Sequence, residues 1–384
     1  MESALNNAKL TIYLEGEINS INALDIEEEI NGEIKGKKFD CLELDFDKVT
    51  YISSAGLRIM LKLKQAYKNF IIANTSLEVY DIFQMTGFTN ILEVKKALRK
   101  LDISGATLIG EGYFSEVYRI NKDTIIKVYR FAKGPEEIEN ELTLAKRAFV
   151  CGIPTAISFD IVKVDDKFGV VFEMLDCASL RNLFRDCPDK YDELIDKYVK
   201  LLKTINNTEV VGVELVDAKK KWLDRLEQIK KYFTDEEYLQ AKKLLNTIPD
   251  RNTFIHGDCH VKNIMAQGDD LLLIDMDTLA RGHYIFELAT IYAPYVAFEE
   301  DAPGTTEDFL GIKKELANKI FYDIVKKYFD LEEDNQEILD KIKIVAYIHM
   351  VRWTVKHTPD DMKRLNGCKG RLLDLLFKYE DLVI

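Results

Sequence analysis

Two periodicities divide the chain. Over the first hundred residues, short alternating apolar runs take turns with helical stripes. Residues 10–14 alternate and are rich in β-formers, with Gly16 closing the run. Ile21, Leu24, Ile26, Ile30 and Ile34 then fall on one rough helical face with a Glu-rich outer side. Residues 41–46 alternate again, with Leu42, Leu44 and Phe46 on one face and Cys41, Glu43 and Asp45 on the other. A helix follows Tyr51-Ile52-Ser53-Ser54-Ala55-Gly56-Leu57. Residues 70–73 read as a strand, 76–83 as the start of a helix and 91–94 as a last strand. Such alternation with short connections predicts a small α/β domain with a mixed sheet.

Residues 101–104 read as a linker, after which the pattern changes. Strand signals at 108–118, 124–129 and 168–174 give way to helical ones at 180–184, 191–205, 218–245, 284–298, 309–328, 335–355 and 362–378. Residues 299–306 read as a loop. The Lys/Glu-rich stretch 218–245 reads as a helical pair whose charges mostly face solvent. The expected organisation is residues 1–100 as the α/β domain and 101–384 as an α+β unit with a helical C-terminal part.

Charge and cysteines narrow the picture. A formal net charge of −13 argues against a nucleic-acid partner, because phosphate backbones select clustered Lys and Arg. It is compatible with a cationic small substrate without demanding one. The six cysteines are scattered with no CxxC pair, and the first residues lack a basic or apolar leader. No apolar run approaches the ~20 residues of a membrane span. Together these predict a reduced, cytoplasmic protein without a membrane partner.

The chemistry concentrates in FIHGDCHVKNIMAQGDDLLLIDMD, residues 254–277. Short apolar runs deliver His256-Gly257-Asp258 and then Asp275, with Asn263 five positions after Asp258. Phosphoryl transfer from a nucleotide needs such a set: one carboxylate to take the proton of the attacking hydroxyl, and a carboxylate with a neutral oxygen donor to hold Mg²⁺. Asp258 fits the base, and Asn263 and Asp275 fit the metal ligands. His256 is expected to brace the loop, and Cys259 to fill space. Upstream, Gly110 and Gly112 sit in a turn whose backbone N–H groups suit phosphates. Ser115 stands where a third glycine would complete GxGxxG. Lys127 lies inside an apolar strand and needs an acidic partner, Glu139 or Glu141.

HGDCHVKN followed by LIDMD resembles the catalytic core of the aminoglycoside phosphotransferase and choline kinase superfamily, which has the protein-kinase fold. The resemblance implies a two-lobed domain dividing near residue 175, with ATP and Mg²⁺ as cofactors. It implies Lys127 on the α- and β-phosphates, Glu141 as its partner, and Glu173 and Leu175 in an adenine-binding hinge. Helices inserted before the catalytic loop would help shape the acceptor pocket. Glu287 stands where the family more often has Asp.

VTYISSAGLRIM and SLEVYDIFQMTGFTNILEV, within residues 8–97, resemble the STAS domain of anti-sigma factor antagonists. A serine before the helix is a good N-cap, and it also sits where a helix tolerates phosphate. The resemblance implies phosphorylation of Ser54, with Ser53 the alternative because the family often has Asp there, and an anti-sigma-type regulatory partner. Three readings follow. The first is a phosphotransferase acting on a hydroxyl of a small molecule and regulated by the STAS-like domain. The second is a kinase acting on Ser54 or on a partner. The third is a nucleotide-binding module without turnover, against which the intact Asp258, Asn263 and Asp275 weigh.

Overall fold

The computed structural model describes residues 1–111, 115–130, 135–174 and 177–384. The chain divides into two compact units, Met1–Asp102 with Val162–Asp166, and Ile103–Ile161 with Lys167–Ile384.

The first unit is a five-stranded mixed sheet in sequence order: Glu2–Asn6, Lys9–Ile18, Cys41–Ile52, Phe70–Thr75 and Glu93–Lys96. The first pair is antiparallel and the others are parallel. Helices Ala23–Ile34, Ser54–Ala66 and Leu77–Met85 connect the parallel strands. Leu42, Leu44 and Phe46 are fully buried, as their alternation requires, and pack with Leu10, Ile12, Phe70 and Phe83.

Three local expectations need correction. Gly16 does not close the second strand; the strand continues to Ile18 through register shifts beside Gly16, whose φ is +79°. Ile21 and Leu24 are exposed, because the helix begins at Ala23 and its inward face is built on Ala23, Ile26 and Ile30. The edge strand Glu2–Asn6 buries no residue fully, so no alternation announced it.

In the second unit, strands lie in the order Lys167–Glu173, Thr124–Tyr129, Ser115–Arg119, Thr107–Glu111. Helix Pro135–Val150 follows the strand that carries Lys127. The C-terminal part is helical around one large core containing Tyr198, Trp222, Phe254, Phe286, Tyr295 and Phe321. Two boundaries differ from expectation. Residues 299–301 are helical, in Phe298–Asp301, which continues a π-helical turn, Ala293–Ala297. The stripe at 309–328 is broken at Gly311, whose φ of +70° ends helix Thr305–Leu310 before Lys314–Tyr328 begins. Among the described residues, no helix is long and apolar enough to cross a membrane.

Candidate active site

Strand Phe254–Ile255 delivers His256, and the hairpin Ile264–Gln267 with Asp270–Leu273 returns the chain to Asp275. The loop between is short of regular structure, so its polar groups must be satisfied one by one. Glu287 satisfies two of them. It is fully buried, and its carboxylate accepts the N–H of His256 at 2.6 Å and of Gly257 at 3.0 Å. Burial pushes its pKa up to about 7, with the two N–H donors pulling the other way. Thr278 Oγ1 donates to the His256 carbonyl at 2.6 Å. Tyr295 accepts the N–H of Val261 at 3.0 Å, and Tyr198 donates to the Cys259 carbonyl.

His256 is buried, and burial lowers its pKa and keeps the ring neutral. Its Nδ1 accepts the Asp258 N–H at 3.3 Å, so the proton sits on Nε2, 3.2 Å from the Ile274 carbonyl. The imidazole thus ties the two halves of the motif together. Gly257 has φ +80°, and a Cβ there would stand 3.0 Å from the Thr278 carbonyl, so a side chain is excluded twice over.

Asp258 receives Asn263 Nδ2 on both its carbonyl and its Oδ2, each at 3.0 Å. With Nδ2 committed to Asp258, Asn263 Oδ1 is directed away as a neutral oxygen donor. The Asp258 side chain is 45% exposed yet ringed by protein. Loss of surrounding water pushes its pKa up to about 6, and Asp275 adds to this while Asn263 and Lys262 oppose it. His260, which the sequence reading passed over, lies with Nε2 3.4 Å from Asp258 Oδ1. Burial lowers its pKa to about 4, so it is neutral.

Asp275 sits at φ +65°, a left-handed conformation that only a few non-glycine residues adopt and that is commonest at functional turns. Its Oδ1 meets Lys127 Nζ at 2.8 Å, and Glu141 stands 3.8 Å from the same ammonium. Burial works against the charge on Lys127, but Asp275 and Glu141 outweigh it and raise its pKa. Glu141 also accepts from Tyr129 at 3.2 Å, whereas Glu139 faces outward.

The remaining candidates are more dispersed. Gly110 pairs with Val117 and Ser115 with Tyr129, on the hairpin beside the Lys127 strand. Glu173 pairs with Thr124 at the end of that sheet. Gly112 and Leu175 lie outside the described residues. Cys259 is buried, which raises its thiol pKa well above the usual range, so it is inert filler. Among the described residues, no group of three or more His, Cys, Asp or Glu side chains could by itself cage a metal ion. Asn263 Oδ1 and the Asp275 carboxylate are hard oxygen donors of the kind Mg²⁺ takes when substrate oxygens and water complete its shell.

The phosphotransferase enzyme family model, APH, matches residues 105–310, more than half of the chain and all of this site. The chain belongs to that family. The STAS domain model matches residues 3–101, and the N-terminal unit is a STAS domain. BtrV of Bordetella bronchiseptica, named as an anti-sigma factor antagonist, is 34% identical over 90 residues, covering 22% of this chain and 76% of that protein. Among solved structures, a choline/ethanolamine kinase family protein from Mesorhizobium loti is 14% identical, over 71% of this chain and 88% of that one, with a TM-score of 0.46. The aminoglycoside phosphotransferase APH(2″)-IIa in complex with gentamicin is 16% identical, over 71% and 93%, with a TM-score of 0.45.

Proposed function

We propose that the second unit transfers the γ-phosphate of ATP, with Mg²⁺, to a hydroxyl of a small-molecule acceptor, and that the STAS domain regulates it through an anti-sigma-type partner. One observation carries this reading: the hydrogen-bonded assembly of Asp258 with Asn263 stands together with the Asp275–Lys127 ion pair in a chain of the phosphotransferase family. Asp258 would take the acceptor proton. A carboxylate with a pKa near 6 is still ionised at neutral pH, yet basic enough to share a proton as the O–P bond forms. Lys127, positioned by Glu141, would hold the α- and β-phosphates, and Gly110, Gly112 and Ser115 would line the phosphate turn. Glu173 and Leu175 would take the adenine.

Asn263 and Asp275 would hold the metal ion. Bound Mg²⁺ supplies neutralisation of the phosphate charge. The Lys127–Asp275 pair would have to loosen as nucleotide binds, leaving Lys127 for phosphate and Asp275 for the ion.

A second reading, phosphorylation of Ser54 by the same chain, draws on the helix cap of the STAS domain. Ser53 is the N-cap and accepts the Gly56 N–H at 3.4 Å, whereas Ser54 is the first helical residue and is exposed. Intact-mass spectrometry after incubation with ATP and Mg²⁺ separates the two. A gain of about 80 Da that is lost in both Asp258→Ala and Ser54→Ala means self-modification. An unchanged mass with ATP consumed in the presence of an added acceptor means the small-molecule reaction. An unchanged mass with no ATP consumption under any acceptor would overturn both.

A further inference from the structure

The helix Ala218–Gln228 is fastened to the acidic turn of the site. Val216 and Asp217 pair with Ala280 and Arg281, and Asp217 forms an ion pair with Arg281 at 3.0 Å. Gly282 approaches the helix so closely that a Cβ there would stand 2.8 Å from the Ala218 Cβ. Trp222 packs on Phe286, ring centroids 4.9 Å apart, and donates to the Val345 carbonyl at 3.0 Å. The first turns of the helix are thereby held just beyond Asp275-Met276-Asp277.

This helix and helix Gln336–His357 gather cations there. Lys221 and Arg225 are one turn apart on the first, and His349 and Arg352 are one turn apart on the second. Arg225 stacks on Trp222 at 4.1 Å, and His349 lies against the same ring at 5.9 Å. Arg352 Nε donates to Gln228 at 2.9 Å. Among the described residues, no carboxylate pairs with Lys221, Arg225 or Arg352. Arg225 Nη1 and His349 Nδ1 are buried without any hydrogen-bond partner.

Lys221 and His349 feel the positive charge of Arg225 and Arg352, Arg225 feels that of Arg352, and Lys221 also lies in the field of Asp277. Burial, then mutual repulsion, lowers the pKa of Lys221 and takes Arg225 down to about 10. In a chain of net charge −13, abundant surface carboxylates could have paired these cations. Holding them together, half-buried and with no carboxylate paired to them, is costly and is a feature of binding sites.

We infer that Lys221, Arg225 and Arg352 bind an anionic group of the acceptor, so that the substrate is a small hydroxylated acid, its charge a carboxylate or a phosphate ester. The inference rests on the phosphotransferase reading and reverses the cationic option that net charge had left open. Arginine forks take either anion in two parallel hydrogen bonds, and Lys221 links the niche to the acidic turn where the phosphate is transferred.

The test has two arms, both on the full chain with Mg²⁺. In the first, transfer from ATP is measured onto D-glycerate and D-gluconate, onto glycerol 3-phosphate, and onto choline and kanamycin. At least tenfold higher kcat/KM for one of the acids is expected, with KM for that acid rising tenfold or more in Arg225→Gln. Carboxylate and phosphate acceptors report which anion is taken. Preference for choline or kanamycin would overturn the inference while leaving the phosphotransferase intact. Absence of ATP consumption with every acceptor would count against the phosphotransferase reading itself.

The second arm needs no turnover. With ADP and Mg²⁺ present, thermal unfolding is followed against sodium sulfate and against sodium chloride at equal ionic strength. A rise in Tm specific to sulfate, lost in a folded Arg225→Gln/Arg352→Gln double variant, is expected. Equal sulfate response in the wild type and the double variant would overturn the inference.

Discussion

Each unit holds one oxygen for which a reaction is proposed, Ser54 in the first and Asp258 in the second, and the two are held in opposite ways. Ser54 is placed by its own neighbourhood: the strand ends at Ile52, Ser53 caps the helix, and the hydroxyl of the next residue is left at the surface. Asp258 is placed by the whole fold. The loop on either side of it, at His256, Gly257 and Val261, is fixed through Glu287, Thr278 and Tyr295, which lie 20 to 37 positions beyond Asp258, and its side chain is fixed by Asn263. A locally built site tolerates change nearby and can be presented to a partner. A globally built site trades that tolerance for a fixed geometry and for a carboxylate whose pKa is raised by loss of water.

The largest expected effect breaks the second site at its centre. Asp258→Asn should lower phosphate transfer by about 10²–10⁴ while the chain stays folded, read by circular dichroism beside a turnover assay. In the wild type, acceptor kcat/KM should fall as the pH drops through about 6, where Asp258 takes up its proton. A pH profile flat from 5 to 8 would show that Asp258 is not the base.

The frame around Asp258 should be nearly as sensitive. Glu287→Gln replaces one accepting oxygen with an amide donor facing a backbone N–H, and should cost about 1–3 kcal/mol in urea unfolding of the second unit. Turnover should fall with it. A variant as stable as the wild type would mean that the loop does not depend on that carboxylate.

An effect of similar size, confined to low pH, is expected on the acid side. His283 Nδ1 accepts the Ile285 N–H at 3.2 Å, and burial lowers its pKa to about 4. The unfolded chain, with an ordinary histidine pKa, binds this proton first. His283 therefore contributes stability that is present above about pH 6.5 and is lost as the pH falls through 4, about 3 kcal/mol in all. His283→Asn should flatten that limb of the stability profile.

The smallest effects belong to the local site. Ser53→Ala removes the cap and should cost the first unit about 0.5–1 kcal/mol. Ser54→Ala should change its stability by less than about 0.5 kcal/mol. Equal losses at the two serines would contradict the division of labour between cap and exposed hydroxyl.

The same contrast explains what the sequence could reveal. Ser53-Ser54 was legible because its structure depends on adjacent residues. Asp258, Asn263, Asp275 and Lys127 were legible as a chemical inventory at fixed spacing. The work of Glu287 was not, because its partners are backbone N–H groups, which carry no residue signature, thirty positions away. His260 was missed for lack of any stated task. Lys221 and Arg225 lay in a Lys/Glu-rich stretch that reads as a solvated face. Only the packing of Trp222 between two helices shows that these two turn inward. Ile21 and Leu24 misled in the other direction, since apolar residues just before and just inside a helix start need not join its buried stripe.

If Asp258 drives phosphate transfer out of ATP, ³¹P NMR reads it directly. The full chain is mixed with ATP, Mg²⁺ and the acceptor panel, beside Asp258→Asn shown by calorimetry to bind ATP. The wild type is expected to convert the γ-phosphate resonance into a new phosphate-ester signal, and the variant to bind ATP without doing so. Equal conversion by the variant, or ATP binding by the wild type with no loss of the γ-phosphate under any acceptor, would contradict it.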